Sequence, residues 1–290
     1  MTFMYRLFGL IILFSLCLSP NLQAQFGQGG NKAIEKLKNT ETLVVLGYDD
    51  EYNEAIQEAF NNHWTFTKYR FIPGTHYKRY CKDPQYSFVM IFTIREWQVV
   101  NEQYDDIGIV LGGNCNTGPY DMVAYANMDV YSPSYYRLEC QRAVQFMQDY
   151  LETGEERKMP RDNIDETIEM YNERHAEMAD KELVLCEEDI IEKHATIDKV
   201  KKYYTHPVRL DAQFQVDRNA WRQTENYLYT VFLYDVNGFT YRCVVEAKGS
   251  RMLFMMPTEN HEAYLMGPRS FKRMNNLEFG KKVGDFIKGI

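Results

Sequence analysis

The signatures of several common enzyme chemistries are missing from this chain of 290 residues. It has no Cys-x-x-Cys, and no cysteine–histidine spacing fits a zinc site. The Gly-x-Ser-x-Gly elbow of a serine hydrolase is missing too. His261-Glu262 opens a zinc-protease string, but Leu265 stands where the second histidine must be. The run Gly112-Gly113-Asn114-Cys115-Asn116-Thr117-Gly118 lacks the Gly-Lys-Ser/Thr ending of a phosphate loop and leads into no helix, so it reads as a wide turn between strands. Proline (9) and glycine (17) are too sparse for a collagen-like or low-complexity chain. The net charge is −8 and no basic stripe is interleaved with aromatics, which excludes a nucleic-acid role.

What is present is apolar and aromatic. Hydrophobic residues make up 45% of the chain and aromatics 14%, with 22 Tyr and 17 Phe, enough for a large, well-filled core. Arg6 followed by an apolar run from Leu7 to Leu18 and a polar exit reads as a secretory signal peptide over 1–24, cleaved after Ala24. The run is too short to span a bilayer, and Leu16 before Cys17 does not suit a lipid anchor. The expected location is periplasmic or secreted, with no membrane span after cleavage. Five cysteines would remain: Cys81, Cys115, Cys140, Cys186 and Cys243. An odd number cannot pair completely. Cys186 and Cys243 lie in strand-like runs as small buried residues, and a Cys81–Cys115 bridge is open.

The acidity is local. Between Glu152 and Glu192 stand fifteen acidic and five basic residues. Within that stretch Asn163, with Glu166 three residues on, reads as a helix start, and Ile164, Ile168, Tyr171, His175 and Met178 share one helical face.

On either side of this connector the same pattern runs twice. Leu43–Leu46 is answered by Leu183–Cys186, and acidic clusters follow both. A helix with Ile56, Phe60 and Trp64 is matched by Ile197, Val200 and Tyr204. The most apolar strands, Ser87–Phe92 and Leu228–Leu233, keep an offset of about 141. Hairpins follow at an offset nearer 130, and a final helix pairs Val144, Met147 and Leu151 with Val283, Phe286 and Ile290. We therefore expect an α/β fold in tandem duplication: a mixed-sheet unit β-α-β-(α)-β-β-β-α over 31–152, an acidic helical connector over 153–179 and a second unit over 180–290.

The acidic clusters at the ends of the first strand of each unit are the candidate ligand residues: Asp49, Asp50 and Glu51, then Glu187, Glu188 and Asp189. Carboxyl ends of strands are where α/β sheets place ligands, and such carboxylates could hold a divalent cation. No other cofactor is expected. The alternative is that Asp50 or Asp189 caps the next helix. A cysteine nucleophile from Cys81 or Cys115 with His63 or His76 has nothing in the sequence to bring it together. Trp97, after Arg95-Glu96, is the expected exposed interface tryptophan, with Trp64 and Trp221 in core or interface.

The string Lys181-Glu182-Leu183-Val184-Leu185, then Ile197-Asp198-Lys199-Val200-Lys201-Lys202-Tyr203-Tyr204 and a Pro-Val strand, resembles uncharacterised secreted envelope proteins of the Bacteroidota over roughly residues 180–235. That resemblance implies a location and no activity. In topology each unit is also similar to the TolB amino-terminal and curli-secretion type of domain. The function expected is non-catalytic binding of an envelope protein or surface component. The alternatives are a small-ligand or metal-binding protein and a hydrolase.

Overall fold

The computed structural model describes residues 30–47, 49–95, 103–128, 135–157, 164–234, 240–258 and 265–275. The proposed signal peptide, Trp97, Asn163 and the expected final helix at 283–290 lie outside them.

In the first half, α1 (Gly30–Lys38) leads into β1 (Glu41–Leu46), α2 (Asp50–His63), β2 (Lys68–Pro73), the short α3 (Tyr77–Tyr80), β3 (Tyr86–Arg95), β4 (Gln103–Leu111), β5 (Met122–Met128) and the long α4 (Tyr136–Glu156). The second half runs α5 (Ile164–Asn172), β6 (Glu182–Cys186), one-turn α6 (Ile197–Val200), β7 (Val208–Asp211), α7 (Gln213–Trp221), β8 (Tyr227–Tyr234), β9 (Thr240–Glu246), β10 (Met252–Pro257) and α8 (Pro268–Asn275). Local chemistry sets these elements. The side chain of Asp49 accepts from Tyr52 N at the start of α2, and Asp50 and Glu51 favour the helix dipole there. Tyr52, Ala55, Ile56, Ala59 and Phe60 then form one buried stripe.

Each half forms a five-stranded mixed sheet, and the two sheets have one topology. The orders are β2-β1-β3-β4-β5 and β7-β6-β8-β9-β10, with the first three strands parallel and the last two pairings antiparallel. Register agrees as well: Glu41 stands opposite Tyr86, and Glu182 opposite Tyr227, an offset of 141 on both strands. Even the irregularity recurs. Ile109 and Val110 face Ala124 and Met122, bulging out Val123, while Val244 and Val245 face Phe254 and Met252, bulging out Leu253. The drift of offset seen in the sequence falls in two steps: from 141 to 135 between β3 and β4, where Leu111 answers to Glu246, and from 135 to 130 in the β4–β5 connection, which takes ten residues (112–121) where β9–β10 takes five (247–251).

The halves pack front to back. Val44 joins the large core with α2 and α4, whereas its register counterpart Leu185 lies in a separate core with Val200 and Phe271. Conversely, Leu43 lies under Tyr77 and Cys81, while its counterpart Val184 belongs to the large core with Val216 of α7. Helix α4 therefore covers the front of the first sheet, lying against α1, α2 and β5, and also meets α7, with side chains in one core with the back of the second sheet. Its Val144, Met147 and Leu151 are fully buried.

The acidic connector is docked. Ile168, Tyr171, His175 and Met178 are buried as the periodicity requires, while Glu166, Glu169 and Glu173 are exposed. Asn172 bonds both Met255 N and Met255 O of β10 (2.8 and 3.1 Å). Arg174 forks onto Asp149 of α4 (3.0 and 2.9 Å) and reaches Met252 O (3.0 Å). The second-half helix expected through Tyr204 is a single turn; Tyr204 itself is buried beside it. His175 is a core residue, with Nε2 2.6 Å from Met274 O and burial pushing its pKa down.

Candidate functional site

At the carboxyl end of β1, the Asp49 carboxylate is tied on both oxygens. Oδ1 accepts from Tyr52 N (2.9 Å) and Oδ2 from the Tyr136 hydroxyl (3.5 Å). Burial, then the Asp49 charge, raises the Tyr136 pKa, so the phenol keeps its proton and donates. The cap of α2 is thus Asp49 and not Asp50, which with Glu51 is an exposed first-turn residue. In the second half Glu187, Glu188 and Asp189 form a 3₁₀ turn, and Asp189 caps no helix. Its Oδ2 lies 3.1 Å from Arg242 Nη1, and Arg242 is only 2% exposed. The guanidinium lies 3.6 Å over the Phe232 ring and also donates to Thr230 Oγ1 (3.3 Å). Burial lowers the Arg242 pKa and the Asp189 charge opposes that. Among the described residues no group of three metal-ligating side chains converges. In this structure the two acidic clusters act as a helix cap and as the counter-ion of a buried arginine.

Two more carboxylates escaped the sequence reading. Asp105 Oδ1 and Asp106 Oδ2 are buried without a hydrogen-bond partner. Adjacent on β4, they point to opposite faces and cannot share one ion. Asp106 is 0% exposed, accepts from Asn127 Nδ2 (2.5 Å), and burial pushes its pKa up to about 8. Asn127 in turn accepts from Tyr234 N (2.6 Å), so this buried acid sits where the first sheet touches β8. A cavity of about 10 Å³ between the halves, beside Tyr125, Asp149, Tyr171 and Leu233, holds one water at most.

Cys81 and Cys115 form a disulfide, so neither is a nucleophile, and Cys140, Cys186 and Cys243 are buried free thiols. Burial raises the pKa of Cys243 and Cys186, which keeps both as inert thiols.

The surface feature that stands out is on α7. Val216 and Ala220 bury one face of this helix, and Phe214 and Trp221, seven residues apart, share the opposite one at 62% and 43% exposure. Arg218 lies between them and Arg222 follows, both exposed. Large exposed aromatics are the informative exception to burial, and Trp, Phe and Arg are the residues enriched at interface cores. Trp64, in contrast, is a core residue whose Nε1 donates to Thr67 Oγ1 (3.1 Å).

The end of α7 is held by a polar knot. Gln141 Nε2 donates to Trp221 O (3.4 Å). Gln145 Nε2 donates to Gln223 Oε1 (2.9 Å) and lies 3.2 Å from His63 Nδ1, while Ser250 Oγ donates to Gln145 Oε1 (2.7 Å). Burial lowers the His63 pKa, consistent with a neutral ring that accepts at Nδ1. Gly249 N closes the knot on Gln223 Oε1 (2.7 Å). Three non-glycine residues among those described have positive φ, namely Gln223 (54°), Asn226 (55°) and Ser250 (47°), and all follow α7 or belong to this knot. Each such conformation costs on the order of 1 kcal/mol and persists only where surrounding bonds impose it. The helix end that carries Trp221 and Arg222 is therefore pre-set, and holding it draws on both halves of the chain.

The aromatic pair was hidden because α7 offers two apolar pairs, Phe214/Trp221 and Val216/Ala220, on opposite faces. Periodicity identifies both and cannot say which is buried. The signal available was size, with Arg218 between the larger pair and Arg222 just after it.

Comparison with protein-family models, with curated proteins and with solved structures finds no match to this chain. Among the described residues no helix is long and apolar enough to cross a membrane.

Proposed function

We propose that this chain is a non-catalytic, exported envelope protein, periplasmic or secreted, that docks another protein or surface component on the outer face of α7. The carrying observation is the exposed Phe214–Trp221 pair on a helix whose end is fixed by strained backbone and a knot reaching into α2 and α4. Rigid aromatic anchors lose little entropy on binding, which is what a docking surface requires. The Arg6 and Leu7–Leu18 pattern supports export. Common strand order, register and bulge support the reading of the halves as a tandem duplication, in which the second half's counterpart of α3 was turned outward as a docking helix.

Affinity capture from envelope extract tests this, using residues 25–290 as bait. Wild type and an Asp50→Ala/Glu51→Ala variant should retain one stoichiometric partner, and Phe214→Ser/Trp221→Ser should lose it. Loss in the acidic variant with retention in the aromatic one would move the site to the strand ends.

A further inference from the structure

We infer that the segment received by α7 is acidic and carries two apolar side chains about 10 Å apart. This rests on the docking reading above and specifies the partner. Phe214 and Trp221 are separated by seven residues, which at 1.5 Å per residue spaces two apolar contacts by about 10 Å along the helix. A partner helix meets that spacing with residues seven apart, whereas same-face residues of a strand, two or four apart, fall at about 7 or 13 Å and do not.

The charge around the stripe has a positive excess, with Arg218 and Arg222 set against Asp217. Arg218 and Arg222 are exposed, and among the described residues neither guanidinium is engaged by a carboxylate. Of the acidic residues nearby, Glu225 pairs with Lys248 (2.6 Å), while Asp217 Oδ1 accepts from the neutral amide of Gln213 (2.8 Å), which does not offset a negative charge. Two other surface arginines are matched within the chain. Arg209 pairs with Glu182, and Arg251 with Glu177 and Glu246. Two exposed guanidiniums beside two exposed aromatics, against the single carboxylate of Asp217, leave a local positive excess. A guanidinium offers planar, bidentate recognition of a carboxylate.

Fluorescence anisotropy on residues 25–290 tests this with three labelled synthetic peptides. Each carries two leucines seven positions apart on a helical background, in which the remaining charged positions are all Glu, all Gln or all Lys. The Glu peptide should bind about tenfold tighter than the Gln peptide, a difference of about 1.4 kcal/mol. That advantage should shrink with added salt. Arg218→Gln/Arg222→Gln should abolish it and leave Gln-peptide binding unchanged, and Phe214→Ser/Trp221→Ser should weaken both. Equal binding of the Gln or Lys peptide would overturn the acidic inference and leave the docking face standing. Binding indifferent to Phe214 and Trp221, or no binding by any peptide, would overturn both. Self-association in sedimentation that Phe214→Ser/Trp221→Ser abolishes would also overturn it, by making a second copy of the chain the occupant.

Discussion

The backs of the two sheets have the same strand order and register, yet they are closed by different means. In the second half the back is covered from outside its own unit, by α4 and by the docked α5, with α7 beside them. In the first half nothing comparable arrives among the described residues, and the ten-residue β4–β5 connection folds over it instead. Gly113 (φ 106°) lets that connection turn, its N donates to Cys81 O (2.9 Å), and the Cys81–Cys115 disulfide holds it to the end of α3. Gly112 approaches Asp83 O and Tyr86 O too closely for any Cβ. Tyr77 stacks edge-on with Phe88 at 5.0 Å and its hydroxyl meets Thr117 (3.1 Å), which completes the lid. A unit packed front to back always leaves one face open at each end, and terminal units need a cap. Here the cap is covalent on one unit. On the other, the same position frees α7 to carry exposed aromatics.

Breaking the shared layer should give the largest effect. Met147→Ala on α4 leaves a cavity in the core common to both halves and should cost about 2–5 kcal/mol, with both halves still unfolding in one transition. Two separated transitions in chemical denaturation would mean the halves are independent. Next comes the lid. Cys81→Ser/Cys115→Ser opens a loop of sequence separation 34 and should cost about 2–4 kcal/mol. Amide exchange should then rise over 77–81 and 112–121 and stay unchanged in β8 and β9. Equal rises in both sheets would contradict the difference drawn between their backs.

The junction should respond to pH. Asp106 binds its proton more tightly folded than unfolded, because its pKa is raised to about 8 from an ordinary carboxylate value. Its contribution is therefore fully present at acid pH and is lost as pH rises toward 8, where folding must bury an ionised carboxylate or keep its proton at a cost. Asp106→Asn should flatten that decline and raise Tm by about 2–4 °C at pH 8 with little change at pH 4. Parallel pH profiles in thermal denaturation would show that Asp106 does not titrate in this window. The smallest effect on stability belongs to the docking face, where Phe214→Ser/Trp221→Ser should change it by no more than about 0.5 kcal/mol. A larger loss would show that the pair packs against the protein.

The sheets were legible because their signal is dense. Apolar runs such as Phe88–Phe92 and Leu228–Leu233 have the length and the β-branched and aromatic content of central strands, and one offset of about 141 aligns them. Front-to-back packing was not legible, because Leu43 and Val44 are equally apolar and a strand buried on both faces does not say what covers each. Cys81–Cys115 could be named as a pair without support, since spacing does not fix connectivity. The acidic clusters were found by position, but their partners, Tyr136 and Arg242, lie 87 and 53 residues away, and only folding brings them together. Asp106 carried no local signal, as the pair Asp105-Asp106 just before the apolar run from Ile107 reads as the polar end of a strand.

Hydrogen–deuterium exchange of the chain alone and bound to its captured partner is the most direct measurement. Protection is expected over 213–222, with no change at 49–51 or 187–189. Protection at those strand ends with α7 unchanged would contradict docking through the Phe214–Trp221 face.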